Sequence, residues 1–457
     1  MKKYDAMIIG TGQAGPPLAG RLTESGMEVA IIERKLFGGT CVNTGCIPTK
    51  TLIASAHAAH LARRAADFGV AVEGGVTVDM KRTKARKDYV SALSREGLEA
   101  WLGNMKKCTV YRNHARFESA HEVRVGTELI ASDRIFIDVG ARAFIPTISG
   151  LDRVPYLTNS STMEIDFLPR RLLIVGGGYV GIEFAQMYRR FGSEVTIVEM
   201  GPRLMHKEDE DISQGVREIL EAEGIEVRVA AKCIAVEKQG NDVGINVDCP
   251  DNPAESVGSH LLVAVGRRPN TDDLGLENAG VPTDERGYIT VDDELRTNVS
   301  GVWALGDCNG RGAFTHTSYN DYEIVAANLL DGEKRRVSDR ITAYALYTDP
   351  PLGRAGLTET EVRASGRPAL IAKRPMARVG RAIEKGETQG FMKVIVDAET
   401  KQILGAAVLG TGGDEVIHSL LDVMYAKAPY TVVKRAMHIH PTVSELIPTM
   451  LEEIKPL

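Results

Sequence analysis

The chain has 457 residues, more than one hydrophobic core normally holds, so roughly two to four domains are expected. Its 43% apolar and 25% charged content is that of a soluble globular protein. With 55 basic and 61 acidic residues the net charge is −6, which argues against a nucleic-acid or membrane-surface partner. Six cysteines are too few for a secreted disulfide scaffold. No apolar run approaches a membrane span, and the N-terminus lacks the apolar core of a signal peptide. A cytoplasmic location is the expectation.

The first predicted unit opens with the apolar run Ala6-Met7-Ile8-Ile9. The glycine turn Gly10-Thr11-Gly12-Gln13-Ala14-Gly15, a helical stretch, and Val29-Ala30-Ile31-Ile32-Glu33 follow. The same design returns later in the chain as Arg171–Val175, Gly176-Gly177-Gly178-Tyr179-Val180-Gly181, a helix, and Val195–Val198 before Glu199. In each copy an acid, Glu33 or Glu199, stands at the same distance after the last glycine. The pattern is that of a dinucleotide fold. Its first two glycines permit a tight turn and close approach to a pyrophosphate, and the third allows helix and strand to pack together. The terminal acid hydrogen-bonds a ribose hydroxyl. A lone G-x-G-x-x-G is weak, but two in full context predict two bound dinucleotides.

Soon after the first copy comes Gly38-Gly39-Thr40-Cys41-Val42-Asn43-Thr44-Gly45-Cys46-Ile47-Pro48-Thr49-Lys50. Two cysteines this close to a nucleotide fingerprint suit a disulfide that opens and closes against a bound flavin. A zinc half-site or two unrelated thiols are the alternatives; zinc would want a second Cys/His pair, and none follows. Cys108, Cys233, Cys249 and Cys308 are scattered and read as reduced thiols. The basic run Lys81, Arg82, Lys84, Arg86 and Lys87 reads as a solvated helix face. From about Ile341 the character changes. Gly390–Val396 and Ile403–Leu409 read as antiparallel strands, and helical patterns span Gly413–Tyr425 and Val443–Ile454. The polar stretch Asp331–Asp339 and Pro350-Pro351 mark the boundary.

Taken together these motifs resemble the class I pyridine nucleotide-disulfide oxidoreductases: lipoamide dehydrogenase, glutathione reductase, mercuric reductase and relatives. The resemblance rests on both fingerprints, on Gly39–Lys50, on Val265-Gly266-Arg267-Arg268-Pro269-Asn270, on Thr297 to Gly306-Asp307, and on His440-Pro441-Thr442-Val443-Ser444-Glu445. It implies an α/β fold with two Rossmann-type domains, for FAD and NAD, and a C-terminal α+β dimerisation domain. The expected segments are 1–147 and 273–338 for FAD, 148–272 for NAD(P)H, and 339–457 for the interface. It implies FAD contacts at Gly10, Gly12, Gly15, Glu33, Gly39, Thr40, Lys50, Ala115, Gly140, Asp307, Thr315 and His316. For the nicotinamide cofactor it implies Gly176, Gly178, Tyr179 (an aromatic lid), Gly181, Glu199, Cys233 and Gly266.

The resemblance also assigns the chemistry. Cys46 is the thiol near the flavin and Cys41 the exposed interchange thiol. A helix beginning near Pro48 lowers the Cys46 pKa through its dipole. Lys50 pairs with Glu183 beside the flavin, whereas two unrelated surface charges are the plain structural alternative. His440, oriented by Glu445, moves the proton of thiol exchange across the interface of a homodimer, and His438 packs structurally. No resident metal is expected.

Glu199 favours NADH over NADPH, a preference Arg203 softens, leaving NADPH possible. No cysteine follows Cys308, so the C-terminal metal-shuttling pair of mercuric reductases is absent, and that family lacks the counterpart of His440. Asp349–Arg354 and Phe314–Asp321 depart from lipoamide dehydrogenases. The latter segment, with Ile47–Leu52, looks more like the mercuric-reductase-like flavoproteins of bacterial reactive-chlorine resistance. The resulting expectation is electron transfer from NAD(P)H through FAD and the Cys41–Cys46 disulfide to a small disulfide or soft-metal acceptor. NAD+-dependent dihydrolipoamide oxidation is the main alternative. Mercuric reduction proper, glutathione-type reduction and a non-turnover flavin redox sensor stand behind it.

Overall fold

The computed structural model describes residues 1–248 and 255–457, without the side chains of Cys233 and Asp248. Cys249, read above as a reduced thiol, lies outside the described residues. Among those described, Cys41, Cys46, Cys108 and Cys308 are free thiols.

Runs rich in Ile and Val, buried on both faces, build two parallel sheets, as expected when helices cover each side. The first has five strands in the order Val302–Ala304, Ile135–Ile137, Ala6–Ile9, Val29–Ile32, Cys108–Tyr111. Its edge strand Val302–Ala304 arrives only after the second unit is complete, so the first body is discontinuous in sequence. The second sheet runs Glu226–Arg228, Glu194–Val198, Arg171–Val175, His260–Val263. The third body is a six-stranded sheet in the order Ala343–Leu346, Leu352–Gly356, Ile403–Leu409, Phe391–Asp397, Ala369–Pro375, Lys455–Pro456, with antiparallel pairings throughout. Helix Gly413–Tyr425 covers it, at the limits the sequence pattern predicts. The second predicted helix is shorter than its pattern, Leu446–Glu452.

One apolar core joins the second body to the third. Leu52 and Ala56 from helix Cys46–Arg63 pack with Phe184 and Tyr188 of helix Tyr179–Phe191 and with Leu346, Leu352 and Leu409. Each fully buried side chain of this size contributes about 1.5–3 kcal/mol. The cysteine-bearing helix is therefore clamped where three bodies meet.

The basic run needs correction. It lies in helix Met80–Asn104, capped by the Asp79 carboxylate. Lys87 is buried and donates to the Met163 carbonyl at 2.8 Å, Arg86 to the Thr51 carbonyl at 2.8 Å, and Lys84 to Asp88 at 2.7 Å. Lys87 thus braces the helix against the next body and Arg86, though exposed, ties it to helix Cys46–Arg63, while Lys84 pairs within its own helix; Lys81 and Arg82 face solvent.

Candidate active site

At the first glycine turn, Gly10 has φ +111°, a conformation other residues avoid, and a Cβ there would lie 2.1 Å from the Asp138 carbonyl. A Cβ on Gly15 would come 2.6 Å from the Gly10 carbonyl, so only glycine lets helix Gly15–Glu24 start this close to the strand. The helix cap is supplied from 123 residues away: the Asp138 carboxylate accepts the Gly15 N–H at 2.8 Å. The same carboxylate would be 2.8 Å from a Cβ on Gly12, and Gly39 would put its own Cβ 3.1 Å from the Gly12 Cα. Burial, followed by the nearby charges of Asp307, Asp321 and Glu33, pushes Asp138 well above the usual carboxylate range. Negative charge beneath the turn is thereby reduced. Glu33 accepts from the Thr11 backbone at 3.1 Å and the Thr11 hydroxyl at 2.7 Å. A crowded glycine turn, a helix N-terminus and an acid at the next strand end fit a dinucleotide.

Gly39 brings the cysteine segment against this turn. Cys41 lies in the short helix Gly39–Asn43, and helix Cys46–Arg63 begins at Cys46 itself, two residues before Pro48. Proline is harmless there because first-turn N–H groups have no helical partner. Cys46 Sγ is 3.1 Å from the Thr315 hydroxyl, and Cys46 rather than Cys41 is the exposed residue of the pair, the reverse of the expected order. The Cys46 thiol is lowered to about 6, first by the hydrogen bond from Cys41, opposed by burial, and then by Thr315 and the Lys50 charge. Cys41 is pushed far up by the same sharing. The low Cys46 pKa expected from the helix dipole thus has a different leading cause, the neighbouring thiol.

Lys50, one turn along that helix, donates to Glu183 Oε2 at 2.7 Å, while Glu183 Oε1 accepts the Tyr347 N–H at 3.0 Å. The Lys50 ammonium also sits 4.5 Å from the centre of the Tyr347 ring. Glu183 is buried and Lys50 half-buried, so this is not a pair of free surface charges. Tyr347 was not legible as a site residue, because nothing in its local sequence announces a contact with a helix from the opposite end of the chain.

The second turn repeats the first with less enclosure. Gly176 has φ +115°, its Cβ would meet the Ala264 carbonyl at 2.4 Å, and a Cβ on Gly181 would meet the Gly176 carbonyl at 2.1 Å. Around Gly178 a Cβ would find nothing within 4 Å, and the same holds at Gly266 and Gly140. Glu199 accepts from the backbone of Gly177 at 2.5 Å and Gly201 at 2.6 Å. Arg203 donates to the carbonyls of His206 and Glu208, each at 3.3 Å. Tyr179 opens helix Tyr179–Phe191, its ring edge-on to Tyr344 and Phe314. The side chain of Cys233 lies outside the described residues.

Asp307 pairs with Arg267 at 3.2 Å, and Arg267 also reaches the Thr40 hydroxyl at 3.3 Å, tying three expected contact segments together. Burial raises the Asp307 pKa against the opposing pull of Arg267. Ala115 is buried in strand Ala115–Phe117, opposite Val125. His316 Nε2 bonds the Ala343 carbonyl at 2.7 Å, and burial lowers its pKa. His440 Nδ1 lies 3.0 Å from Glu445, with 82% of the imidazole side chain exposed. Among the described residues, no hydrogen bond links this pair to either thiol within the chain. His438 is half-buried, with Nδ1 3.1 Å from the Ala436 carbonyl two residues back.

Two dinucleotide folds, a thiol pair between them and a separate antiparallel domain place this chain in the pyridine nucleotide-disulphide oxidoreductase family. Residues 4–321 match that family and residues 342–451 its dimerisation domain. The chain is thus an FAD-dependent enzyme that uses a nicotinamide cofactor. It is 36% identical over 463 residues, covering 100% of both chains, to the probable pyridine nucleotide-disulfide oxidoreductase RclA of Escherichia coli (strain K12). It is 35% identical to a dihydrolipoyl dehydrogenase of Thermus scotoductus, covering 97% of this chain and 96% of the other. Identity to a mercuric reductase of Streptomyces lividans is 33%, with 97% and 94% covered. In structure it is similar to the Cu(II) complex of the HOCl-induced flavoprotein disulfide reductase RclA from E. coli, with TM-score 0.90, 35% identity and 99% of each chain covered. No described helix is long and apolar enough to cross a membrane.

Proposed function

We propose that this chain carries electrons from NADH through FAD to the Cys41–Cys46 pair, and from there to a small disulfide or a soft metal ion. The observation that carries the reading is the cluster at the start of helix Cys46–Arg63: Cys41 and Thr315 on Cys46, with Lys50 held by Glu183 one turn away. Segments 1–147 and 273–338 hold FAD, 148–272 hold the nicotinamide cofactor, and 339–457 form the interface of a homodimer. Bound FAD supplies the two-electron link between a nicotinamide and a disulfide.

The residues then divide the work. Cys46, with its pKa near 6, is a thiolate at neutral pH and keeps its charge beside Lys50. Cys41 holds the proton until His440 of the partner subunit removes it. The Cys41 sulfur then attacks the acceptor disulfide, and the leaving thiolate takes that proton from the same imidazole. Cys46 next attacks Cys41, releasing the second thiolate and closing the Cys41–Cys46 bond, so two electrons leave the enzyme. Glu445 fixes the imidazole tautomer. Tyr179 lids the nicotinamide site and Glu199 selects NADH.

Support for a metal acceptor comes from the Cu(II) complex of the E. coli relative and from the affinity of vicinal thiolates for soft ions. Dihydrolipoamide oxidation is the second reading, favoured by the His440–Glu445 pair at 3.0 Å. The deciding experiment is an acceptor panel of lipoamide, glutathione disulfide, Cu(II), Hg(II), quinones and oxygen, each with NADH and NADPH. Turnover of one disulfide or metal acceptor, lost in Cys41→Ser and preferring NADH, is expected. Turnover indifferent to Cys41 contradicts the reading.

A further inference from the structure

The segment Asp349–Arg354, which departs from lipoamide dehydrogenases, has no part in the scheme above. In the structure Arg354 lies in strand Leu352–Gly356 with its side chain 1% exposed. Its Nη1 donates to the Ala406 carbonyl at 2.8 Å, but among the described residues Nε and Nη2 have no hydrogen-bond partner. A guanidinium this deep requires a countercharge. Glu208 is that charge: its side chain is fully buried and Oε2 stands 3.5 Å from Arg354 Nε.

The other oxygen of Glu208 faces Tyr179, the proposed lid of the nicotinamide site. Oε1 accepts from the Tyr179 hydroxyl at 3.2 Å and from the Tyr344 hydroxyl. Burial first, then the nearby charges, pushes both phenols upward, so they remain protonated donors. The Tyr179 ring is edge-on to Tyr344 at 5.4 Å and to Phe314 at 6.0 Å, and Phe314 stacks on Tyr344 at 5.4 Å. Phe314 directly precedes Thr315, the partner of Cys46. Tyr179 is thus held by its hydroxyl and by two ring edges, and Tyr344 and Arg354 belong to the C-terminal body.

We propose that Glu208, braced by Arg354 and Tyr344, is the latch of the Tyr179 lid and sets how readily NADH displaces it. This rests on Tyr179 being the lid. A nicotinamide that enters must move the ring out of the Tyr344–Phe314 corner, and the phenol–carboxylate bond breaks with it. Glu208 and Arg354 act through Tyr179, so they are positioning residues. Hydrogen bonds to a charged acceptor are strong enough for a tenfold effect on binding.

The test is anaerobic stopped-flow reduction of the flavin-loaded enzyme by NADH, separating the NADH Kd from the limiting rate. Tyr179→Phe keeps the ring and removes the tether. Its NADH Kd should fall about tenfold, with a smaller change in limiting rate, and Tyr179→Ala should fall at least as far. Glu208→Gln should lower the Kd in the same direction, and adding Tyr179→Phe to it should bring little more. If Tyr179→Ala lowers the Kd while Tyr179→Phe behaves as wild type, the lid stands and the latch is refuted. If neither lowers it, the lid reading itself fails and takes the latch with it. A lower melting temperature in Tyr179→Phe with no change in Kd makes the contact merely structural, which also overturns the proposal. Should Glu208→Gln not fold because Arg354 loses its charge partner, the two Tyr179 variants still decide.

Discussion

The two glycine turns carry one design and differ in what closes over it. In both, the first glycine packs under a carbonyl at the end of a neighbouring strand, 2.1 Å from a Cβ at Gly10 and 2.4 Å at Gly176. In both, the terminal acid reaches back to the second residue of its turn, Glu33 to Thr11 and Glu199 to Gly177. The residue that supplies the carbonyl is Asp138 in the first copy and Ala264 in the second. The Asp138 carboxylate caps Gly15 and crowds Gly12, Gly39 covers the turn, and a Cβ on Gly306 would stand 3.2 Å from Asp138. Gly178 has open space instead. The first turn is enclosed by distant chain segments, as befits a cofactor that stays bound. The second is open at Gly178, as befits one that comes and goes, while Leu204 and Glu199 crowd Gly177.

The largest expected effect concerns how the body that carries the second turn is anchored. Lys393, with its side chain 1% exposed, bonds Asp209 and Asp211 at 2.9 Å each from the far side of a domain boundary. Removing the lysine leaves the buried Asp209 carboxylate without its cation, while the half-buried Asp211 keeps Lys373 at 2.9 Å, so Lys393→Met should cost about 3–5 kcal/mol in urea unfolding. Burial alone would raise Asp209, but Lys393 and the N–H groups of Thr360 and Glu359 bring it down to about 2. A depressed carboxylate contributes stability above its unfolded pKa and loses it as pH falls through the folded one. The Lys393→Met deficit should therefore shrink between pH 4 and pH 2; an unchanged deficit would assign it to packing.

Next comes the contrast between the turns. Gly12→Ala should weaken flavin retention by about tenfold or more, read as the flavin-to-protein absorbance ratio after gel filtration, since a methyl has no room. Gly178→Ala should keep its flavin and raise only the NADH KM, by about two- to tenfold. Equal loss of flavin in both would remove the distinction. A smaller effect is expected from Asp138→Ala, which gives the first turn the residue found in the second. Loss of a helix cap costs about 0.5–2 kcal/mol, so flavin affinity should drop about fivefold, with Asp138→Asn closer to wild type. Smallest in amplitude is the titration of Cys46 in the reduced protein, where ultraviolet thiolate absorbance should rise with a midpoint near pH 6. In Lys50→Met that midpoint should move upward.

What was legible in the sequence lay in short contiguous stretches. The glycine turns, the acids Glu33 and Glu199 that follow them, the cysteine pair and the strand patterns are each written locally, where spacing translates directly into geometry. The expectation that the first body is split between 1–147 and 273–338 comes from the family resemblance and not from any local pattern, whereas Thr315 on Cys46, Tyr347 on Lys50 and Asp138 under Gly12 depend on segments far apart in the chain that no local period encodes. Lys87 misled for a related reason. A basic residue reads as solvated until a distant carbonyl or carboxylate is found to face it.

The central claim is that electrons pass from the nicotinamide through FAD to the Cys41–Cys46 pair. Anaerobic NADH titration of the flavin-loaded protein tests it most directly. The account predicts that two electrons per flavin produce a long-wavelength absorbance band from the Cys46 thiolate beside oxidised flavin, absent in Cys46→Ser. Bleaching of the flavin by the first two electrons, with no such band in the wild-type protein, would contradict it.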